Sequence, residues 1–214
     1  VRLVDAEGNI TTSTVDRPGA KRVVVTTTAP GSSTTAVQVS YNGLLVEARN
    51  TAGIVTRHEY DALGRKVRDY DPRITGSPGY SETIYQTGNS NLVSQVKDGA
   101  GKAVATYYYH PYGYGLVSAV QDALGHLTRY EYNARGQVVR QFGDATSPHR
   151  IVYDDYGRRK ELHTFQGGTN WNAATWPTAN DAGANVTKWV YQEATGLLDY
   201  KEDSGANRTT YTYH

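Results

Sequence analysis

The residues able to do chemistry are few and poorly spaced for it. Six histidines stand at positions 58, 110, 126, 149, 163 and 214 with no ligand spacing among them. His58-Glu59 opens like a zinc-protease helix, but Tyr60-Asp61 follows without the second His, and the segment alternates like a strand. Asp69 with Asp71, and Asp154 with Asp155, are candidate acid–base or calcium pairs, yet no EF-hand ligand pattern surrounds them. Asp98-Gly-Ala-Gly-Lys102 lacks both the first glycine of a phosphate loop and the Ser/Thr after the lysine, so it reads as a tight turn. No Gly-x-Ser-x-Gly elbow occurs, and the absence of Cys removes thiolate chemistry, disulfides and Cys-based zinc sites. Neither a catalytic residue, a metal nor a cofactor is expected. Three sequons, at Asn9, Asn185 and Asn207, are what a chain rich in Asn and Thr produces by chance. What remains is aromatic. Trp171 and Trp176 lie in one irregular stretch, Trp189 just after it, and Tyr107 to Tyr114 hold a run of tyrosines. These are candidate contacts for a sugar or a partner, weighed against side chains that fold back over an open sheet face.

The elements that must position such residues follow from composition and period. The chain has 214 residues, with 18 Tyr and 22 Gly but only 2 Phe and no Met. Tyr, Val and Thr suit a half-buried pleated surface, and a thick aliphatic core is not to be expected. Charges nearly cancel, at 22 basic and 21 acidic, and no Lys/Arg block offers a nucleic acid its usual basic surface. No apolar run reaches the length of a membrane helix. The chain opens at Val1 with neither initiator Met nor signal peptide, which is expected of a piece of something longer.

Glycines recur every 10 to 13 residues at 43, 53, 64, 76, 88, 99/101, 113, 125 and 136, then at 157 and 168, and more raggedly at 183, 196 and 205. Short strands with turn signals at that spacing predict an all-β array of antiparallel hairpins, about sixteen strands of seven residues. Two turn types alternate. One reads Asp/Asn-x-x-Gly, as in Asp5 to Gly8, Asn50-Thr-Ala-Gly53, Asp98 to Gly101 and Asp122-Ala-Leu-Gly125. The other adds a preceding tyrosine: Tyr60-Asp61-Ala-Leu-Gly64-Arg65, Tyr132-Asn133-Ala-Arg-Gly136-Gln137 and Tyr153-Asp154-Asp-Tyr-Gly157-Arg158. The leading carboxylate or amide is suited to bonding its own backbone further on, with glycine closing the turn. A fixed period means that each unit is buried only by its neighbours.

This alternation resembles the YD repeat of the RHS family, which includes bacterial RHS polymorphic toxins, the B/C components of Tc toxin complexes and, more distantly, animal teneurins. The best copies are Asn50–Asp71, Asp122–Phe142 and Tyr153–Leu162. Weaker ones are Asp5–Lys21, Asp98–Gly113 and Tyr191–Asp203, the last with one extra turn residue. The resemblance covers nearly the whole chain as a single array, 1–214, apart from an irregular connection at 29–38 and an insertion at 166–185.

The resemblance implies a continuous, curved, spiralling sheet that walls a hollow shell around a C-terminal toxin or effector. The chain is then a non-catalytic structural stretch of a secreted or cell-surface bacterial protein, stiffened by stacked Tyr rows. Its partners would be the flanking repeats and the enclosed effector, with neither nucleic acid nor a membrane span. The family's self-cleaving core, rich in Asp-Pro and Gly, is not matched: the only Asp-Pro is Asp71-Pro72, followed by Arg73-Ile74. The rival expectation is a cell-surface carbohydrate-binding or adhesion module using exposed Tyr and Trp. Cut from its parent, the sheet would also present unpaired edges that favour self-association.

Overall fold

The structure, a computed structural model, describes residues 1–88, 90–111 and 115–213. It is all-β, with eighteen strands and one short 3-10 helix among the described residues. Two compact units are formed, Val1–Ala105 and Thr106–His214.

The first unit holds β1 (Arg2–Val4), β2 (Ile10–Gly19), β3 (Arg22–Thr28), β4 (Thr35–Tyr41), β5 (Leu44–Arg49), β6 (Val55–Tyr60), β7 (Lys66–Tyr70), β8 (Ser81–Tyr85) and β9 (Val93–Lys97). Each pairs antiparallel with the next. Strand β10 (Ala103–Tyr109) carries the chain across the boundary. The second unit holds β11 (Val117–Asp122), β12 (Leu127–Tyr132), β13 (Val138–Gly143), β14 (His149–Tyr153), β15 (Arg159–Phe165), β16 (Ala184–Tyr191), β17 (Leu198–Glu202) and β18 (Arg208–Thr210). There too every strand from β11 onward pairs antiparallel with its successor.

The hairpin array is the expected one, with differences of detail. Strands number eighteen rather than sixteen, because five- and six-residue strands are common. The connection expected over 29–38 is shorter, since Thr35–Gln38 already pair with Val25–Thr28. Glycine at 113 lies outside the described residues, as do Tyr112 and Tyr114; the turn glycine described there is Gly115, with φ 81°.

Among the described residues a core in the usual sense is missing. The buried hydrophobic residues are Val39, Phe142, Ile151, Phe165 and Trp176. Most strand residues are half-buried whichever face they occupy, as in β12, where all six are. Each strand is stabilised mainly by its ladder and by the side chains on the two strands beside it.

The exception is the insertion after β15. A 3-10 helix, Thr178–Gly183, closes it. Trp176 packs edge-on against Phe142 (5.5 Å between ring centres) and Phe165 (5.3 Å), and Trp171 lies 5.1 Å from Trp176. The Trp176 indole N–H donates to Asp181 at 2.9 Å, and Asp181 is held by Arg150 at 3.3 Å. In the first unit the long link between β7 and β8 lies on the β9–β10 turn. There the Gly79 N–H donates to the Gly99 carbonyl at 2.8 Å, and a Cβ on Gly99 would stand 2.0 Å from Ile74 Cγ2.

Candidate functional site

The repeated motif is a device of three parts, and the turn comes first. Asp61 Oδ1 accepts the N–H groups of Leu63 (2.9 Å) and Arg65 (3.0 Å). The same two-plus-four pattern recurs at Asp154 with Tyr156 and Arg158, at Asn133 with Arg135 and Gln137, and at Asn50 with Ala52 and Ile54. It recurs again at Asp122, Asp98, Asp5 and Asp203. The closing glycines, such as Gly64 at φ 76° and Gly157 at φ 82°, adopt a left-handed conformation that a side chain resists. Gly53, Gly125 and Gly136 do the same. Both turn types therefore share one geometry, and a carboxylate or an amide serves equally as acceptor.

The second part is the tyrosine that separates the two types. The hydroxyl of Tyr60 donates to the Leu45 carbonyl (2.7 Å), Tyr85 to Lys66 (3.1 Å), Tyr132 to Val117 (2.7 Å), Tyr153 to Val138 (3.1 Å), Tyr191 to Arg159 (2.9 Å) and Tyr213 to Leu198 (2.8 Å). In all six the acceptor is the second residue after a turn glycine of the preceding hairpin: 43, 64, 115, 136, 157 or 196. Five of these tyrosines sit at a bulge in the ladder, between Glu59/Tyr60, Ile84/Tyr85, Glu131/Tyr132, Val152/Tyr153 and Val190/Tyr191. A bulge re-aims the side chain at the strand's end. The links then run in series: Tyr213 holds Leu198, which pairs with Tyr191; Tyr191 holds Arg159, which pairs with Tyr153; Tyr153 holds Val138, which pairs with Tyr132.

The third part reaches forward. Arg65 is bound to Asp61 through Nε at 2.6 Å, and its Nη1 donates to the Ser90 carbonyl. Arg158 is bound likewise to Asp154 (2.7 Å) and donates to Gly196 O (2.9 Å). Gln137 donates to Gly157 O at 2.8 Å. The two guanidinium groups lie over the next hairpin's tyrosine, Arg65 at 4.3 Å from the Tyr85 ring and Arg158 at 4.1 Å from Tyr191. This corrects the expectation of stacked Tyr rows. Motif tyrosines of successive hairpins are two strands apart, roughly 10 Å, too far for ring contact, and an arginine fills the gap in these two cases. Tyr70 and Tyr80, which are not motif tyrosines, make a ring contact at 5.0 Å.

Charge is spread in rungs of alternating sign across the strands. Glu59, Arg68, Glu82 and Lys97 are cross-strand neighbours at 3.0, 3.3 and 3.3 Å. In the second unit Glu131 meets Arg140 at 2.8 Å, and Glu202 meets both Lys188 (3.7 Å) and Arg208 (2.7 Å).

Among the described residues, which leave out His214, the candidate chemical groups are not assembled into a centre. His58 Nδ1 lies 2.5 Å from Asp69, while Glu59 pairs with Arg68 and accepts from the Tyr70 hydroxyl. Asp71 is held by Arg73, which lowers its carboxyl to about 2, first through the side-chain bond and then through the Arg73 N–H. Asp154 belongs to its turn, and Asp155 offers its carbonyl to Arg135. No group of three metal-ligating side chains occurs among the described residues. Trp176 is buried and Trp171 half-buried in the cluster with Phe165, whereas Trp189 lies in β16 between Arg159 (5.4 Å) and Lys201 (5.5 Å). Among the described residues no helix is long and apolar enough to cross a membrane.

Sequence reasoning did not find the partner of the tyrosine hydroxyl. A signal was present: Tyr60, Tyr132, Tyr153 and Tyr213 each follow a turn glycine by seventeen residues.

No protein-family model matches the chain, and no curated protein matches it. Solved structures do. The chain is similar over its full length to the crystal structure of TcdB2-TccC3, with a TM-score of 0.60 at 14% identity. It is similar over the same length to TcdB2-TccC3 without its hypervariable C-terminal region (0.57, 17%) and to TcdB2-TccC3-TEV (0.57, 16%). It spans 13% of each of those chains. At these identities the likeness is one of fold, and the resemblance read from the turn motif is matched at that level.

Proposed function

We propose that the chain is a stretch of wall in an RHS/YD-repeat shell, and that the shell encloses a C-terminal effector of a longer, exported bacterial polypeptide. The observation that carries this reading is the series of tyrosine links. At six places a hairpin is tied to a carbonyl of the hairpin before it, so stability is shared between neighbours and the array is extended by adding copies. A globular enzyme or a compact lectin would instead centre on a core, which is missing here outside the Trp171–Trp176 cluster. The wall has no catalytic duty. Many of its carboxylates and arginines are held in turns, rungs and ion pairs, and its direct partners are the flanking repeats.

The test is made on the full-length polypeptide that contains the chain. Limited proteolysis should leave the segment after the repeats intact while the same segment made alone is digested, and electron cryomicroscopy should show a closed wall with density inside. Equal digestion rates, or repeats forming an open sheet with no interior, would overturn the proposal.

A further inference from the structure

Along the row of tyrosine-bearing turns in the second unit, one gap differs from its neighbour. Between the turns 133–136 and 154–157 two side chains close the space: Arg135 donates to Asp155 O at 2.6 Å and Gln137 to Gly157 O at 2.8 Å. Between 154–157 and 192–196 the position matching Arg135 is Tyr156, which has no guanidinium to span the gap. The second turn also carries one residue more, so that the Gly196 N–H reaches back to the Gln192 carbonyl. Arg158 alone bridges, to Gly196 O. The result is a cavity of about 680 Å³ lined by Tyr156, Arg158, Tyr191, Gln192, Glu193 and Gly196. That volume falls within the range of about 300–1,000 Å³ typical of small-molecule sites.

The lining has a definite chemistry. The Arg158 guanidinium lies between two rings, 4.9 Å from Tyr156 and 4.1 Å from Tyr191, and is fixed by Asp154 and Gly196. Tyr191 is fixed through its hydroxyl, whereas Tyr156 is 84% exposed although nothing in the fold uses its ring beyond Arg158. Gln192 accepts from Thr195 with its side-chain oxygen at 2.6 Å, which leaves its amide N–H groups to the cavity. Glu193 makes no ion pair among the described residues and supplies an acceptor. Aromatic faces are thus set beside one fixed cation, one amide donor and one carboxylate. A cationic ligand would meet Arg158, and an anionic one would meet Glu193. A neutral ligand with an apolar face and a rim of hydroxyls satisfies all of them.

We propose that this notch binds a pyranose ring of a neutral glycan, with Tyr156 as the platform for its C–H face. Hydroxyls at its rim accept from Arg158 and Gln192 and donate to Glu193. The inference stands apart from the wall reading: a chain without glycoside affinity would sink it and leave that reading in place.

The experiment is saturation-transfer NMR on the 214-residue chain with methyl β-D-glucopyranoside, methyl β-D-galactopyranoside and methyl α-D-mannopyranoside. At least one glycoside should receive saturation at its ring C–H protons, with a dissociation constant on the order of 1–10 mM. Tyr156→Ala should weaken it about tenfold while leaving the unfolding midpoint unchanged, because the side chain is exposed. Glu193→Gln should weaken it by a smaller factor. Three results would overturn the proposal: no transfer to any of the three glycosides, transfer undiminished in Tyr156→Ala, or tetramethylammonium or inorganic phosphate perturbing Tyr156 and Tyr191 more strongly than every glycoside does.

Discussion

The hydroxyl of Tyr153 donates to the backbone carbonyl of Val138, fifteen residues earlier, at 3.1 Å. Val138 is also the residue that pairs with Tyr132 at the bulge of the hairpin before, so one bond ties two repeats at the place where each ladder is interrupted. A β-ladder holds strands side by side, but at a bulge one carbonyl loses its regular partner, and a buried or half-buried carbonyl left unpaired costs free energy. Tyrosine has the length to cross that gap and a ring that shields the bond from water.

Phenylalanine at this position keeps the ring and removes the donor. Tyr132→Phe and Tyr153→Phe should each destabilise the chain by about 1 kcal/mol, read as a lower midpoint in urea with unchanged slope. In the double variant the loss should fall short of their sum, since both bonds lie in one series through Val138 and either single change already forfeits the coupling between them. Simple additivity would show that the links act independently.

The turn carboxylates give the fold an acid limit. Asp61 is held below its ordinary value near 3.8 first by its side-chain bond from Arg65, and Asp5 and Asp203 first by Asn9 and Asn207. At Asp154 and Asp122 burial pushes upward but is outweighed by bonds from Arg158 and His126. A carboxyl whose folded value is depressed stabilises the fold at every pH above its unfolded value, and that contribution is lost as pH falls through the folded value. Thermal midpoints should therefore be level from about pH 7 to pH 5 and drop between about pH 4 and pH 2. Asn133 and Asn50 make the same backbone bonds without a charge. Asp61→Asn combined with Asp154→Asn should accordingly shrink the acid drop while keeping both turns, as followed by circular dichroism. An undiminished drop would place the acid sensitivity elsewhere.

The turns and the repeat were legible in the sequence because both are local. Asp61 to Arg65 and Asp154 to Arg158 fold within five residues, and glycine is demanded by φ at a fixed place. What each tyrosine holds was not legible in residue type, because the acceptor is a backbone carbonyl, which any residue supplies: Leu45, Lys66, Val117, Val138, Arg159 and Leu198 share no side-chain property, and only their spacing from a turn glycine marks them. Trp176 stands in the irregular stretch between β15 and β16, and its seat on Phe142 and Phe165 depends on two strands that are brought together only through β14. The two Phe of the chain thus both lie under that one insertion.

Glycine has a second use away from the turns, and it can be separated from the first. Gly143, at the end of β13, has φ 137°, and a Cβ there would stand 1.8 Å from the Leu127 carbonyl oxygen. Gly8 closes an exposed turn at φ 84°, and a Cβ there would meet nothing within 4 Å. Gly143→Ala should cost at least about 3 kcal/mol, combining backbone strain with a backbone clash, and Gly8→Ala about 1 kcal/mol from the left-handed conformation alone. Chemical denaturation of the two variants side by side checks the difference. Equal losses would mean that β13 shifts to accept the methyl group.

Trp176 is 5% exposed and fills the space between Phe142, Phe165 and Trp171, while its N–H holds Asp181 and, through it, Arg150. Replacing it leaves a cavity in the cluster of buried residues, at a cost of about 3–5 kcal/mol. The loss should be local, because apart from Trp176 itself and the Asp181–Arg150 pair the insertion meets the ladder at its two ends, Phe165 and Ala184, and the tyrosine links on either side of it do not pass through the cluster. In Trp176→Ala, hydrogen exchange should therefore rise over residues 167–183 while Tyr132 and Tyr153 keep their protection, and protease should cut first within that stretch. Trp176→Phe should recover most of the packing without the bond to Asp181, and so separate the ring from the hydrogen bond. Exchange rising equally throughout β11 to β17 would instead make the cluster the nucleus of the whole second unit, with the links subordinate to it.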